Sequence, residues 1–106
     1  MTAIDEAKLI VSRIALKYKP DKIILFGSMA RGTETSGSDI DLFIIKKTMK
    51  KRPFRVKEVF ESLRGMSRNY ALDAIVYTPS EIENRLKIGD YFVTEVISQG
   101  KVMYAN

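Results

Sequence analysis

Two aspartates interrupt a segment that otherwise has the composition of a buried β-strand. The segment "DIDLFIIK" (39–46) carries Asp39 and Asp41 among apolar residues. Aspartate is depleted in strands, and a buried carboxylate without a partner costs several kcal/mol or shifts its pKa. Because side chains alternate along a strand, Asp39, Asp41 and Phe43 share one face and the intervening apolar residues share the other. The fold must therefore bury one face of this strand, and the two carboxylates on the other face must have a functional role.

The rest of the chain predicts a small sheet packed against helices. Apolar residues at helical spacing predict helices over 3–18 and 54–68. The capping pattern "TPSE" (78–81) begins a third helix that runs to about Ile88, and "YFVTEVISQ" (91–99) forms a fourth. Further strands are predicted at "KIILFG" (22–27) and "YALDAIVY" (70–77), with "KVMY" (101–104) as an optional fourth. We therefore expect one α+β domain over 1–106, with a mixed sheet of three to four strands and helices covering one face.

A third aspartate, Asp73, lies within the predicted strand 70–77. If this strand pairs with 39–46, Asp73 joins Asp39 and Asp41 in one cluster on the uncovered face. Three such carboxylates cannot all stay ionised in a half-buried site without cations, and magnesium is the natural oxygen-seeking ion. Two-metal sites place their ions ~3.5–4 Å apart, a spacing that carboxylates two residues apart can bridge. The alternative role for Asp73 is a charge that keeps an edge strand from aggregating.

The stretch "GSMARG" (27–32) precedes the first two aspartates and suits a phosphate. Gly27 has no Cβ, so a ligand can approach its backbone closely. If Ser28 opens a helical turn, its free N–H groups form an anion site to which the hydroxyl adds a donor. Arg31 adds a fixed positive charge, which either contacts phosphate or forms a salt bridge or packing contact. Phosphate donors beside a carboxylate–magnesium cluster indicate phosphoryl or nucleotidyl transfer.

Composition excludes several other chemistries. The chain has no cysteine and no histidine, so disulfides, thiolate metal sites and histidine catalysis are excluded. The N-terminal segment mixes acids and bases without an apolar run, and no segment approaches the ~20 apolar residues of a membrane span. We therefore expect a cytoplasmic protein. The aromatic residues, Tyr91 and Phe92 among them, have the spacing of core residues, and we expect them to be buried; the alternative is that one of them stacks on a base.

The positive charge is concentrated in one segment. The formal net charge is +5, and "KKTMKKRPFR" (46–55) holds six of the 18 basic residues and no acid, which leaves 12 bases against 13 acids elsewhere. Such a block is either a solvated loop or a patch for phosphates, RNA or an acidic partner. A nucleic-acid-binding module is disfavoured because aromatic residues are not interleaved with the charges as stacking platforms require.

The segment "GSMARGTETSGSDIDL" (27–42) resembles the signature of the nucleotidyltransferase superfamily related to DNA polymerase beta, and most closely its minimal nucleotidyltransferases (MNT). The family pattern is Gly-Ser, ten residues, then Asp-X-Asp; here Gly27 and Ser28 are followed by ten residues and then by Asp39 and Asp41. Asp73 in "LDAIVY" is similar in placement to the family's third carboxylate. The chain has no room for the acceptor-binding domain that larger relatives carry.

The resemblance implies a magnesium-dependent enzyme, with two ions, that transfers AMP from ATP or another nucleoside triphosphate to a hydroxyl. It implies that Asp39, Asp41 and Asp73 hold the metals, that Asp73 helps to deprotonate the acceptor, and that Gly27 and Ser28 hold the outgoing phosphates. Family members of this size resemble antitoxins whose partner is a helical HEPN-type toxin, modified on a tyrosine. The alternative is a non-catalytic antitoxin or nucleotide-binding protein that acts by occluding its partner.

Overall fold

The computed structural model of the protein describes residues 2–33 and 39–106, which form five helices and four strands. In chain order the elements are α1 (Ala3–Lys17), β1 (Lys22–Phe26), α2 (Ser28–Arg31), β2 (Ile40–Ile45), α3 (Arg52–Ser62), β3 (Leu72–Tyr77), α4 (Pro79–Lys87), α5 (Tyr91–Gln99) and β4 (Lys101–Ala105). This order agrees with the sequence-based expectation, and the optional final strand is formed. The predicted turn after Gly27 is the short helix α2.

The strands form one mixed sheet in the order β3-β2-β1-β4. β1 pairs antiparallel with both β2 and β4, whereas β2 and β3 are parallel. A parallel pair requires a crossover connection, and α3 provides it between β2 and β3. The predicted fold class, a mixed sheet combined with helices, is confirmed. The parallel pairing also places the beginnings of β2 and β3 side by side at one end of the sheet.

Helices pack against both faces of the sheet, which corrects the expectation that they cover only one. The larger core lies between the sheet and helices α1 and α3, and includes Ile10, Ile40, Leu42 and Val59, all fully buried. A second cluster on the opposite face joins the strands to α4 and α5 and includes the residues Ile24, Phe43, Tyr77, Ile82, Val93 and Val96. The physical reason is that β1 and β2 carry apolar residues on both faces, so both faces need cover. The predicted polar face is therefore reduced to the end of the sheet where β2 and β3 begin.

Helix α3 begins earlier and ends earlier than the predicted 54–68. It starts at Arg52, with Pro53 in its first turn, where the missing N–H costs nothing, and it ends at Ser62. Gly65, with a φ of +82°, follows the end of the helix. The basic segment 46–55 is therefore partly helical rather than a loop throughout.

The cations of this segment are not all solvated either. Arg55 is 6% exposed and forms a bidentate ion pair with Glu81 of α4, at 2.8 and 3.2 Å. Its guanidinium also donates to the carbonyls of Lys50 and Val76. The Lys46 ammonium donates to the carbonyl of Tyr18. These two cations are structural, because they satisfy carbonyls and a carboxylate inside the fold.

No helix in the described ranges combines the length and the apolar character needed to cross a membrane.

Candidate active site

Asp41 and Asp73 lie next to each other on parallel strands. Their Cα atoms are register partners in the β2–β3 ladder, and adjacent strands are ~4.8 Å apart. Both side chains lie on the sheet face that carries Phe43, since their neighbours Ile40 and Leu42 belong to the opposite core. The structure thus brings together two of the three predicted carboxylates, which are 32 residues apart in the chain.

The third aspartate, Asp39, is exposed and precedes the first residue of β2. It is close enough to act on its neighbours, because its negative charge contributes to raising the pKa of Asp41. All three predicted carboxylates therefore contribute to one electrostatic environment.

The environment of Asp41 raises the pKa of its carboxyl above the usual value. Burial has the largest effect, followed by the negative charges of Asp73 and Asp39, and the positive charge of Arg31 opposes them. Desolvation and neighbouring like charges both disfavour the ionised form of a carboxyl. The site therefore holds an excess of negative charge, and a bound cation would relieve it.

Gly27 makes room for the Asp41 carboxylate. Phe26 is the register partner of Asp41 across the β1–β2 ladder, and the chain turns sharply at Gly27, where φ is +76°. A Cβ at position 27 would lie 2.2 Å from Oδ2 of Asp41, so any other residue there would force this carboxylate to move. Glycine is thus required twice, for the left-handed backbone and for the close approach of the catalytic candidate.

Helix α2 holds Ser28 and Arg31 beside this carboxylate. Met29 is 7% exposed and anchors the short helix in the core, while Arg31 is exposed at its end. Gly32, with a φ of +72°, caps the helix as a left-handed residue. The positive charge of Arg31 acts to lower the pKa of Asp41, and Gly27, which precedes the helix, directly adjoins this carboxylate. Predicted phosphate-binding residues and predicted carboxylates are therefore neighbours in space.

The donor set suits a magnesium ion that is shared with a substrate. In residues 2–33 and 39–106 no group of three or more carboxylate, histidine or cysteine side chains is arranged to hold a metal. Magnesium, however, is usually held by one or two carboxylates together with substrate phosphates rather than by a complete protein cage. Asp41 and Asp73 supply such a pair, and burial together with the charges of Asp73 and Asp39 raises the pKa of Asp41, an effect that a bound cation would oppose. The three-carboxylate, two-ion site stays a prediction.

An open cavity of about 580 Å³ borders the site on the β1 side. It lies between α2 and α5, and its lining includes Gly27, Arg31, Tyr91, Phe92 and Gln99. The expectation that Tyr91 and Phe92 are core residues is wrong: they are 79% and 39% exposed. Sequence periodicity missed this because Val93 and Val96 alone form the buried face of α5.

Glu6 is a buried carboxylate that the sequence reasoning did not identify. It is 2% exposed on α1, and its oxygens accept the backbone N–H groups of Asn69 and Tyr70 at 2.9–3.0 Å. These hydrogen bonds fix the chain just before β3, and hence the approach to Asp73. The signal was present in the sequence, since Glu6 lies one turn before Ile10 on the buried face of α1.

Residues 4–103 match the family model of the nucleotidyltransferase domain. The chain is also 35% identical, over 97 residues, to a candidate protein adenylyltransferase of Methanocaldococcus jannaschii. This match covers 92% of the chain and 91% of the relative.

Two solved structures share the fold. One is a candidate nucleotidyltransferase from Sulfolobus solfataricus, with a TM-score of 0.65, 26% identity, and coverage of 96% of this chain and 79% of that one. The other is a toxin–antitoxin structure with AMP-PNP, with a TM-score of 0.58, 20% identity, and coverage of 96% and 74%. At that lower identity the likeness shows the fold alone.

Proposed function

Because this chain belongs to the nucleotidyltransferase domain family, we propose that it transfers AMP from ATP to a hydroxyl group of a protein. The observation that carries this proposal is the pairing of Asp41 with Asp73 directly beside Gly27. A paired carboxylate site next to a turn that a phosphate can approach is what phosphoryl chemistry requires, since catalysis there consists of positioning and charge stabilisation.

In the proposed reaction the acceptor hydroxyl oxygen attacks the α-phosphorus of ATP. A new oxygen–phosphorus bond forms, the bond from the α-phosphorus to the bridging oxygen breaks, and pyrophosphate leaves. Asp73, which is exposed at the edge of the sheet, accepts the hydroxyl proton. Gly27 and Ser28 position the departing phosphates, and Arg31 offsets their charge. Magnesium held by Asp41 and Asp73, with Asp39 beside them, would neutralise the negative charge that develops on the phosphate oxygens.

We propose a toxin of a toxin–antitoxin pair as the acceptor protein. Two findings support this choice: the M. jannaschii relative is named for protein adenylyl transfer, and one fold neighbour comes from a toxin–antitoxin complex. The expected partner is a small helical HEPN-type protein encoded next to this chain, modified on a tyrosine. The cytoplasm, where both proteins would be made, is the expected location.

The test is to incubate the protein with ATP, Mg²⁺ and the product of the neighbouring gene, and to measure the intact masses of both proteins. We expect the partner to gain the mass of one adenylyl group, which is AMP less water, and Asp41→Asn and Asp73→Asn each to abolish the gain. Glu61→Gln, an exposed change on α3, serves as the control and should leave it unchanged. If wild type and Asp41→Asn inhibit the partner equally and no mass is gained, the protein acts by occlusion and the enzymatic proposal is wrong.

A further inference from the structure

The cavity between α2 and α5 is large enough for a nucleoside and is continuous with the candidate active site. Its volume of about 580 Å³ lies within the ~300–1,000 Å³ range of small-molecule sites. Gly27 and Arg31 line it, and Gly27 also adjoins Asp41, whereas the opposite wall is formed by α5. We propose that this cavity receives the ribose and base of the donor nucleotide and that Gln99 makes it prefer adenine; this inference rests on the proposed function.

The cavity and Asp73 lie on opposite sides of Asp41 in the sheet. The strand order places Asp41 on β2, between β1 on one side and Asp73 on β3 on the other. The cavity is on the β1 side, where Phe26 and Gly100 line it. A nucleotide with its phosphates at Gly27 and Asp41 therefore extends its base away from Asp73. The β3 side stays accessible to the acceptor hydroxyl.

Two aromatic residues of α5 provide surfaces for a base. Phe92 is held by edge-to-face contacts with Phe26 and by a tilted contact with Phe43, with ring centroids 5.5 and 6.1 Å apart, yet it remains 39% exposed. Tyr91, one residue earlier, is 79% exposed and lines the same cavity. Stacking of a base on such a side chain contributes ~1–3 kcal/mol. A nucleobase would cover aromatic surface that these residues expose in the cavity.

Gln99 is the side chain in this wall best suited to discriminate between bases. Glu95 is oriented toward Tyr91, because its carboxylate raises the pKa of the Tyr91 hydroxyl through hydrogen bonding and negative charge. Gln99, at the end of α5, is exposed and lines the cavity. Its amide offers one donor and one acceptor, which match the N7 acceptor and N6 donor of adenine; guanine presents two acceptors on that edge.

The experiment measures binding by calorimetry in the presence of Mg²⁺, with AMP-PNP and with inorganic tripolyphosphate. Tyr91→Ala and Gln99→Ala should each weaken AMP-PNP binding about tenfold, as expected for ~1.4 kcal/mol, and leave tripolyphosphate binding within about twofold. Ile97→Ala is the matched control, because Ile97 is on the same helix and 42% exposed but is not part of the cavity lining. It should change neither affinity by more than about twofold.

Base preference is tested with GMP-PNP. Wild type should bind AMP-PNP about tenfold more tightly than GMP-PNP, and Gln99→Ala should reduce the ratio to about two. Equal binding of the two analogues by wild type overturns the role of Gln99. If both cavity variants bind AMP-PNP like wild type while Asp41→Asn does not, the cavity proposal fails and the proposed function stands. If wild type binds neither AMP-PNP nor tripolyphosphate, the proposed function itself fails.

Discussion

At the scale of single residues, Gly27 and Asp41 form one unit. The carboxylate occupies the space that a Cβ at position 27 would need, so the residue before the predicted phosphate contact also determines where the carboxylate can lie. The sequence predicted both residues as parts of the site but in separate roles, Gly27 as a phosphate contact and Asp41 as a metal ligand. Their direct contact could not be predicted, because it depends on the β1–β2 register that makes Phe26 the partner of Asp41.

We predict that Gly27→Ala costs more stability than Gly32→Ala. Both glycines have positive φ values, +76° and +72°, so both substitutions carry backbone strain of ~1–3 kcal/mol, which is larger at Gly27 because its ψ of −157° lies in a region essentially restricted to glycine. Only position 27 adds an overlap with Asp41, since nothing lies within 4 Å of a Cβ at position 32. Denaturant unfolding of both variants measures the difference. In Gly27→Ala/Asp41→Ala the part of the extra loss that comes from the overlap should disappear, and simple additivity of the two changes would contradict the contact.

Asp41→Asn should stabilise the metal-free protein at neutral pH while it abolishes transfer. The folded pKa of Asp41 is raised, so its contribution to stability is complete below the unfolded value of 3.8 and is lost as pH rises through the folded pKa. Ionised Asp41 therefore opposes folding at pH 7. Removing a like charge from a cross-strand pair should raise the free energy of unfolding by roughly 0.2–1 kcal/mol. The melting temperature should accordingly rise by up to several degrees.

Melting temperatures of wild type and Asp41→Asn, measured from pH 7 down to pH 3, test whether ionised Asp41 destabilises the folded protein. The stabilisation by the variant should shrink as the wild-type carboxyl becomes protonated. If Asp41→Asn is less stable than wild type at pH 7 without metal, the predicted stabilisation is wrong. Added Mg²⁺ at millimolar concentration, with AMP-PNP, should raise the melting temperature of wild type more than that of the variant.

At the scale of elements, a buried ion pair joins α3 to α4. Arg55 of α3 is almost fully buried, and its guanidinium binds Glu81 as well as the carbonyl of Val76 in β3. Glu81 also completes the capping box of α4, with the backbone N–H of Thr78 donating to its carboxylate at 2.8 Å. The capping box was predictable from "TPSE" because its partners are three residues apart. The ion pair was not, because Arg55 looked like one cation in a basic block.

Glu81→Ala should therefore destabilise the fold by about 3 kcal/mol, since it leaves the Arg55 guanidinium buried without its partner. Glu83→Ala on the same helix is the control. Its side chain is 68% exposed in a surface pair with Lys87, so its loss should cost at most about 0.5 kcal/mol. Urea unfolding at pH 7 measures both, and equal stabilities of the two variants would contradict the structural role of Arg55.

The same pair should make the protein sensitive to acid. The hydrogen bond from Arg55 is the largest cause that lowers the pKa of Glu81. The corresponding stability is present above the unfolded value of 4.5 and is lost as pH falls through the lowered folded pKa. The difference in unfolding free energy between wild type and Glu81→Ala should accordingly be smaller at pH 3 than at pH 7. Urea titrations at both pH values measure this difference.

At the scale of the whole molecule, the site and the basic segment lie at opposite ends of the sheet. Asp41 is near the beginning of β2, whereas Lys46 follows its end, roughly 16 Å away at ~3.3 Å per residue. The order of elements and the strand carrying the two aspartates were predictable because periodicity and turn residues are local signals. The second helical layer was not, because it depends on how α5 packs across the sheet onto Phe43 and Ile24.

We predict that the exposed lysines of the basic segment do not contribute to nucleotide binding. Replacing Lys47 and Lys51 with Gln should leave the affinity for AMP-PNP within about threefold, because the separation exceeds the ≈ 8 Å Debye length at physiological salt. The same variant should bind an acidic protein partner more weakly, and the difference should grow at low salt. Calorimetry at two salt concentrations checks both, and a hundredfold loss of AMP-PNP affinity would mean that the segment reaches the site.

The parallel pairing of β2 with β3 also has a consequence for the order of folding events. The connection from β1 to β2 is shorter than the crossover from β2 to β3, so we expect β1 and β2 to pair before the β2–β3 ladder closes. Asp41 and Asp73 come together in that late step, so their mutual repulsion opposes closure of the ladder rather than the initial collapse. If the ladder is already formed in the transition state, neutralising one aspartate will speed refolding; if it forms afterwards, the change will slow unfolding instead.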